Sequence, residues 1–304
     1  MRILILNWSD IKNPYSGGAE IFTHEMAKRW VKEGHRVVQF CSHFAGAKSE
    51  EEIDGVNFIR RGSAIVRSPH VPVHLEAFWW YQKEGKGNFD VVLDEIHGIP
   101  FFTPLYVKEK KVALICEVAN ELWDTAFSFP LNIVGKTVEQ LYFRGYRNVP
   151  FLTISRSTKD DLVREGIRED HVTVLPMGLS IPEKVKRYPK EDTPTLLFVG
   201  RISKTKGIEN TIDTLHLVRQ SMPSCRLWIV GQGDDVYLKK LKLKIRRLSL
   251  GEAVKFFGFV SEGKKFELMS RAHLILVSSV KEGWGLIVPE AGIVGTPAVA
   301  YNVS

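Results

Sequence analysis

The sequence predicts an α/β protein of two domains, each built on a parallel β-sheet with helices on both faces. Two series of short apolar segments alternate with segments of helical period, which is the pattern of βαβ units. A stretch rich in charged residues and proline, residues 181–194, lies between the two series and is the predicted linker. With 304 residues, of which 44% are apolar, the chain is long enough to form two cores.

The first domain, residues 1–180, opens with a predicted strand at Arg2–Asn7 and a polar loop. A helix is expected from Ala19 to about Lys32, ending at Gly34. Strand, loop and helix in this order are typical of the start of a Rossmann-like domain. Further apolar segments predict strands at residues 36–41, 56–60, 90–93, 112–116, 152–154 and 172–175.

The last helix of the first domain is predicted to begin after Ser155 and to end at Gly166, because a serine hydroxyl can accept a hydrogen bond from a free N–H of the first turn. The second domain, residues 195–304, repeats the alternation of strands and helices. A helix is expected from about Ile208 to Gln220. The strands are predicted at residues 195–199, 226–230, 254–257, 274–277 and 298–301.

The first strand of the second domain ends at Gly200 and is followed by a basic loop. Arg201 and Lys206 lie in this loop, at the carboxyl end of the strand and just before a helix. Ligands of open α/β sheets bind at this edge. A guanidinium and an ammonium beside a helix N-terminus favour a diphosphate. A solvated basic loop is the alternative for this segment taken alone.

The run from Glu282 to Glu290 places two carboxylates, separated by seven residues, on either side of a glycine-bearing loop that leads into a helix. Gly283 and Gly285 allow the backbone to approach a ligand closely. Pro289 suits the first turn of a helix, whose free N–H groups can bind an anion. One carboxylate can accept hydrogen bonds from a ribose diol, and the other can lie near a hexose. An acidic loop before an ordinary core helix is the alternative, but the basic loop described above favours a sugar-nucleotide site.

Two adjacent glycines, Gly17 and Gly18, lie between the first strand and the first helix. Their backbone N–H groups can contact a phosphate or an acceptor hydroxyl, although a tight turn is the alternative. Both sheets should present the carboxyl ends of their strands to one interdomain crevice. We therefore expect the glycines and the site residues of the second domain to converge there.

Four segments, in this order, resemble glycosyltransferase family 4, whose members have the GT-B fold and use nucleotide-activated sugars with retention. The segments are Ser16–Glu20, Val199–Gly207, Val230–Gly233 and Glu282–Glu290. The resemblance covers essentially the whole chain. It implies that Arg201 and Lys206 hold the donor diphosphate. It also implies that Glu290 bonds the ribose and that Glu282 lies by the donor sugar.

The predicted donor-binding residues are Gly17, Gly18, Gly200, Arg201, Lys206, Glu282, Gly283, Gly285, Leu286, Ile287 and Glu290. As the resemblance implies, the leaving diphosphate takes the acceptor proton while cationic groups stabilise its charge. Arg201, Lys206 and Glu282 are therefore the predicted catalytic residues. Many family members carry a histidine where this chain has Cys116. His97, after the preceding strand, is a candidate substitute, with a structural role as the alternative.

No cofactor is expected, because the co-substrate is a nucleotide sugar of UDP, GDP or ADP type. The sequence lacks the Asp-any-Asp pattern that chelates a divalent ion in the other major glycosyltransferase fold, so metal independence is predicted. Family members continue with another strand and further helices after the segment that matches residues 296–301, so the second domain is expected to be incomplete. A catalytically impaired sugar-nucleotide-binding subunit and a nucleotide-sugar epimerase of GT-B fold are the alternative functions.

Charge is distributed unevenly between the two predicted domains. Residues 1–180 carry 22 basic and 23 acidic side chains, net −1, whereas residues 181–304 carry 20 and 12, net +8, for a total of +7. A positive field would attract a diphosphate donor, a nucleic acid or an anionic membrane. No nucleic-acid-binding motif is present, so no nucleic-acid partner is expected.

The sequence says less about what the protein binds besides the donor. The basic helix at residues 239–247 has an apolar stripe and is predicted to pack on the second sheet, with peripheral contact to anionic lipid as a further hypothesis. The aromatic-rich segments 71–86 and 126–146 are candidates for a sugar or lipid acceptor surface, or for core. Three cysteines without metal-ligand spacing, and no apolar run of spanning length, favour a cytoplasmic protein with reduced thiols.

Overall fold

The computed structural model describes residues 1–14, 16–63, 72–179 and 185–303. It divides the chain into two compact units. Unit 1 consists of Met1–Asn120 and Ile133–Gly178, and unit 2 consists of Glu121–Asn132 and Leu179–Ser304. The segment Glu121–Asn132 thus groups with unit 2, whereas the sequence placed all of residues 1–180 in the first domain. Residues 185–194, within the predicted linker, contain no helix or strand, and residues 180–184 lie outside the described part.

Unit 1 contains an eight-stranded sheet in the order β3-β4-β2-β1-β5-β6-β7-β8. The strands are β1 Arg2–Leu6, β2 Arg36–Cys41, β3 Glu50–Ile53, β4 Val56–Arg60, β5 Val91–Ile96, β6 Lys110–Ile115, β7 Phe151–Thr153 and β8 Val172–Val174. All neighbouring pairs are parallel except β3 with β4. The helices in the chain up to residue 178 are α1 Gly18–Lys32, α2 Val73–Trp80, α3 Asn120–Ala126, α4 Leu131–Gly145 and α5 Arg156–Arg164. From Glu121 onward, α3 lies in the segment that groups with unit 2.

The central strand β1 shows why this sheet is covered on both faces. Successive side chains of a strand point to opposite faces. Ile3 and Ile5 lie in a core cluster with Ala27 of α1, whereas Leu4 and Leu6 lie in a second cluster with side chains of α2. The four consecutive apolar residues that follow Arg2 in β1 therefore fit a strand that is buried on both sides.

Unit 2 repeats the architecture with a five-stranded parallel sheet in the order β11-β10-β9-β12-β13. Its strands are β9 Thr195–Val199, β10 Arg226–Val230, β11 Val254–Gly258, β12 Leu274–Val277 and β13 Ala298–Ala300. Its helices are α6 Ile208–Ser221, α7 Asp235–Arg247, α8 Glu262–Arg271 and α9 Ile287–Ile293. Leu196 and Phe198 pack with α6 and α7, and Leu197 packs with α8 and α9 on the opposite face.

The apolar stripe of the basic helix α7 is directed into the core of unit 2. Leu241 and Ile245 are fully buried there, and Leu238 and Leu248 pack partly against the same cluster. The predicted packing of this helix on the second sheet is therefore confirmed, and its exposed side is left with mainly cationic side chains. No described helix combines the length and the apolar character that a membrane crossing requires.

Candidate functional site

In unit 2, the loops that follow β9 and β12 leave the sheet at the same edge, because these two parallel strands are neighbours. The backbone N–H of Val280 donates to the carbonyl oxygen of Thr205 at 2.8 Å. The hydroxyl of Ser278 donates to the carbonyl oxygen of Gly207, also at 2.8 Å. The basic loop and the residues just before the Glu282–Glu290 segment are thus held together by hydrogen bonds to backbone carbonyl groups of the basic loop.

Gly207 makes this close approach possible. Its backbone φ is +62°, in the left-handed region that favours glycine. A Cβ atom at this position would lie 1.8 Å from the carbonyl oxygen of Ser278. The glycine just before α6 is therefore required both by conformation and by space.

Lys206 and Glu282 form an ion pair between these two loops. The Lys206 Nζ atom lies 2.6 Å from Glu282 Oε1, and the hydroxyl of Ser279 donates to the same oxygen at 2.6 Å. The two side chains of the pair are 32% and 23% exposed, so a ligand can reach them. The structure brings together these two predicted catalytic residues, which are 76 positions apart in the sequence.

Arg201 is the second residue after β9, and it is exposed. Among the described residues, no hydrogen bond or ion pair involves its side chain, so its guanidinium is available to a ligand. Gly200, with φ of +154°, precedes it. The neighbouring strand β10 ends close by: a Cβ at Gly231 would lie 1.8 Å from the Gly200 carbonyl oxygen, and one at Gly233 would lie 2.3 Å from that of Ile202. Glycines in the Val230–Gly233 segment are therefore needed for this packing.

Glu290 lies on α9 and pairs with Lys265 of α8, with 2.8 Å between Nζ and Oε1. The other carboxylate oxygen, Oε2, is buried and has no hydrogen-bond partner in the described part of the chain. Within that part, no hydrogen bond or ion pair joins Glu290 to Arg201 or Lys206. An orphaned carboxylate oxygen at this point can accept a hydrogen bond from a ligand hydroxyl.

The loop before α9 ends at Leu286. The helix begins at Ile287, so Pro289 is its third residue and lies in the first turn, as expected. Leu286 is the N-cap, and the side chain of Ile287 packs partly against the core of unit 2. Gly285 has a φ of +74°, and Gly283 lies in the irregular segment before it. The close approach of these glycines to a ligand stays a prediction.

In unit 1, the two predicted glycines lie at the start of α1. Gly18 is the first residue of the helix, and the N–H of Gly17 donates to the Glu20 carboxylate at 2.6 Å. The other oxygen of Glu20 accepts from the Trp8 indole at 2.8 Å. This carboxylate already uses the Gly17 N–H and would repel a phosphate, so the structure disfavours the predicted phosphate contact at Gly17.

His97 immediately follows β5 and is held by a buried carboxylate. Its Nε2 atom lies 2.9 Å from Glu95 Oε1. The second oxygen of Glu95 accepts from the Asn7 amide at 2.6 Å and from the Thr23 hydroxyl at 2.7 Å. Trp8 covers the histidine ring at a centroid distance of 5.7 Å. His97 therefore has a fixed orientation at the carboxyl edge of the unit 1 sheet.

The surroundings of His97 are acidic. Burial lowers the pKa of His97, but the hydrogen bond and charge of Glu95, together with the charges of Glu20 and Glu117, outweigh burial and raise it. Burial and the same three carboxylates raise the pKa of Cys116, so this residue remains a neutral thiol. This edge thus holds a histidine that favours its charged form among three carboxylates.

The comparisons with known proteins agree with this architecture. The sequence profile of Glycosyltransferase Family 4 matches residues 16–181, and that of Glycosyl transferases group 1 matches residues 180–304. The chain belongs to glycosyltransferase family 4. An uncharacterized glycosyltransferase of Methanocaldococcus jannaschii is 30% identical over all of this chain and 81% of its own length.

Solved structures place this family 4 chain in the GT-B fold class. Sucrose-phosphate synthase from Thermosynechococcus elongatus gives a TM-score of 0.77 at 16% identity, over all of this chain and 82% of that one. HepE from Anabaena, in complex with UDP-glucose, gives a TM-score of 0.74 at 18% identity, over all of this chain and 81% of that one. These likenesses establish the fold.

Several residues of this family 4 site were not predicted from the sequence. Lys265 is the partner of Glu290, and Ser279 fixes Glu282, yet neither lies in a recognisable motif. Glu95 lies two positions before His97, but the predicted strand ended at residue 93, so the sequence did not indicate that the two side chains meet. Among the described residues, no three or more His, Cys, Asp or Glu side chains are grouped to hold a metal ion, and metal independence stays a prediction.

Proposed function

We propose that this family 4 chain transfers a hexosyl group from a nucleotide diphosphate sugar to a hydroxyl acceptor, with retention and without a metal ion. The observation that carries the proposal is the Lys206–Glu282 pair at the carboxyl edge of the unit 2 sheet, with a separation of 2.6 Å. It places a phosphate-binding cation next to a carboxylate that can bond sugar hydroxyls, at the edge where open α/β sheets bind ligands.

The diphosphate is assigned to Lys206, Arg201 and the start of α6. Lys206 is partly exposed, and the guanidinium of Arg201 makes no hydrogen bond or ion pair within the described part of the chain, so both can contact phosphate oxygens. The fourteen-residue helix α6 begins directly after Gly207, and its N-terminal N–H groups add a favourable field. A bound diphosphate would compete with Glu282 for the Lys206 ammonium and free that carboxylate for the sugar.

The ribose is assigned to Glu290. Its Oε2 atom is buried and without a partner among the described residues, which is costly unless a ligand donates a hydrogen bond. A ribose hydroxyl is a suitable donor, whereas a phosphate oxygen cannot donate to a carboxylate. Glu290 is therefore assigned to a hydroxyl-bearing part of the donor, whereas Arg201 and Lys206 are assigned to its phosphates.

The acceptor is assigned to unit 1 because of the charges at its sheet edge. Glu20, Glu95 and Glu117 surround His97, so the edge repels phosphate and accepts hydrogen bonds from hydroxyl groups. We assign His97 to binding an acceptor hydroxyl rather than to holding the donor diphosphate.

In the proposed transfer, the bond between the anomeric carbon and the diphosphate oxygen breaks, and the acceptor oxygen bonds to that carbon from the same face of the sugar. The acceptor proton passes to the leaving diphosphate oxygen. Arg201 and Lys206 stabilise the negative charge that develops on the diphosphate in the transition state. This route requires no strong general base from the protein.

A two-stage experiment tests the proposal. Thermal shift with UDP, GDP and ADP identifies the base, and the matching nucleotide hexoses are then assayed for transfer and hydrolysis. A shift with sugar transfer of retained anomeric configuration supports the proposal. A shift without turnover indicates a binding subunit, and release of an epimerised sugar indicates an epimerase; either result contradicts the proposal. HepE is solved with UDP-glucose, so UDP hexoses are tested first.

A further inference from the structure

Helix α4 carries a row of exposed apolar side chains. Ile133, Val134, Val138 and Leu141 are 54%, 54%, 40% and 54% exposed. At 100° per residue these four positions fall within one side of the helix, here called the α4 stripe. The opposite side is also apolar and is buried in the core of unit 1 through Tyr142 and Phe143. The α4 stripe is thus a second apolar face that the core does not use.

A turn that contacts the residue after α4 also carries exposed apolar side chains. The turn at residues 102–105 is joined to the end of α4 by the Thr103 N–H, which donates to the Tyr146 hydroxyl at 3.2 Å. Phe102 and Leu105 on this turn are also exposed, Leu105 at 79%. Isolated exposed apolar residues are ordinary, but several on adjoining elements mark an interaction surface.

Most of the charged side chains on and beside α4 are cationic, although Asp124, which accepts from the Asn132 amide at 2.9 Å, is an exposed carboxylate near the start of the helix. The only acidic residue in the α4 sequence is Glu139, which is buried and accepts hydrogen bonds from the N–H groups of Ala119 and Asn120. Arg144 and Arg147, at the end of the helix and just beyond it, are exposed. The exposed face of α4 is therefore mainly apolar, with Thr137 and Gln140 as exposed polar residues, and is cationic at its end.

We infer that the α4 stripe lies on the surface of an anionic lipid bilayer. Apolar side chains with adjacent cations are suited to this position, because the side chains enter the acyl boundary while the guanidinium groups contact lipid phosphates. An isologous contact of α4 with a second copy is less suitable, because α4 offers no exposed carboxylate to pair with the two arginines. The inference is independent of the proposed transfer reaction.

This surface replaces α7 as the membrane contact. The sequence predicted that α7 packs on the second sheet and left lipid contact as a further hypothesis, and its apolar stripe is buried in the core of unit 2. Helix α7 exposes two apolar side chains, Val236 and Leu243, against four on α4, and its Lys240 and Lys244 are already paired with Glu209 and Asp213. Stable interfacial binding requires apolar insertion in addition to charge, and α4 provides both.

Co-sedimentation with lipid vesicles, in the absence of any donor, tests the inference. The probes are vesicles of phosphatidylethanolamine with phosphatidylglycerol, compared with vesicles of phosphatidylcholine. We expect wild-type protein to bind the anionic vesicles, and V138D/L141D to lower the partition coefficient roughly tenfold or more, because two apolar side chains no longer enter the lipid. Leu217→Asp on α6 is the matched control, since Leu217 is 63% exposed, and should bind as wild type does.

The second part of the experiment reverses the charge of the two arginines. R144E/R147E should lower binding to the anionic vesicles roughly tenfold or more and leave the weak binding to phosphatidylcholine unchanged. Far-UV circular dichroism and thermal melting should match wild type, because all the altered side chains are exposed. Equal sedimentation of wild type and V138D/L141D overturns the inference. The inference is also overturned if K242E/R246E on α7 loses binding while the α4 variants keep it. A wild-type dimer that dissociates in L141D overturns it as well.

Discussion

Lys206 Nζ and Glu282 Oε1 are 2.6 Å apart, and this ion pair joins the loop after β9 to the loop after β12. A partly exposed pair of this kind contributes little to folding, about 0–1 kcal/mol. The carboxylate is nevertheless held in place by a second hydrogen bond, from Ser279. Changes at this pair should therefore be observed in ligand binding and turnover more than in stability.

Glu282→Gln should separate diphosphate binding from sugar transfer. The substitution removes the charge that competes for Lys206, so affinity for a free nucleoside diphosphate should stay equal or rise. The transfer rate should fall on the order of 100-fold if the carboxylate contacts the reacting sugar. Calorimetric titration and steady-state assays measure the two effects, with Glu262→Gln at the start of α8 as the control. Weaker diphosphate binding in Glu282→Gln would contradict the assigned role.

Glu290→Gln should weaken recognition of the ribose. A hydrogen bond to a charged group contributes about 1.5–3 kcal/mol, so affinity for the nucleoside diphosphate should fall roughly 10- to 100-fold. The matching 2′,3′-dideoxy nucleotide should bind wild type and Glu290→Gln alike. Glu267→Gln, on α8 beside Lys264 and Arg271, is the control. An equal loss for both nucleotides would indicate that Glu290 does not contact the ribose.

Gly207→Ala should destabilise unit 2. The added Cβ would lie 1.8 Å from the Ser278 carbonyl oxygen, and the backbone φ of +62° is unfavourable for alanine. We expect a loss of about 3 kcal/mol or more in the free energy of unfolding, measured with denaturant. Gly263→Ala in α8 meets no atom within 4 Å and should instead be neutral or stabilise by about 0.5–1 kcal/mol. Similar unfolding curves for the two variants would show that the loops are not packed as described.

Glu95→Gln should lower the pKa of His97. The hydrogen bond and charge of Glu95 are the main causes that raise this pKa against burial. Because the folded-state pKa is raised, the stabilisation from protonated His97 is fully present below about pH 6.5 and is lost as the pH rises through the folded-state value. Nuclear magnetic resonance titration of the imidazole measures the pKa. Glu117→Gln should lower it less, since Glu117 acts through charge alone, and an unchanged pKa in both variants would refute this account.

The sequence predicted most strands closely because a strand buried on both faces is a continuous apolar run. The bounds of β2, β4, β9, β10 and β12 agree with the prediction. Strand β3 was missed, because Glu50–Ile53 begins with three glutamates and pairs antiparallel at the sheet edge through its backbone. Strand β5 was predicted too short, because Asp94 and Glu95 are polar although they are buried within it.

The sequence predicted the parts of the candidate site that depend only on which strands are neighbours. The proximity of Lys206 and Glu282 follows from β9 and β12 being adjacent and parallel, and such adjacency can be expected from a Rossmann-like pattern. The Lys265–Glu290 pair could not be predicted, because it depends on how α8 and α9 pack against one another. The use of the Gly17 N–H by Glu20 is a local capping interaction, which the glycine motif alone does not reveal.

Calorimetric titration of UDP, GDP and ADP into wild type, Lys206→Ala and Lys204→Ala tests the central claim most directly. Lys204 lies in the same loop and is exposed, so its variant controls for the loss of one positive charge. We predict that wild type binds at least one of the three nucleotides, that Lys206→Ala weakens this binding roughly 10- to 100-fold, and that Lys204→Ala binds nearly as wild type does. Equal affinity of wild type and Lys206→Ala would contradict the assignment of the diphosphate to this site.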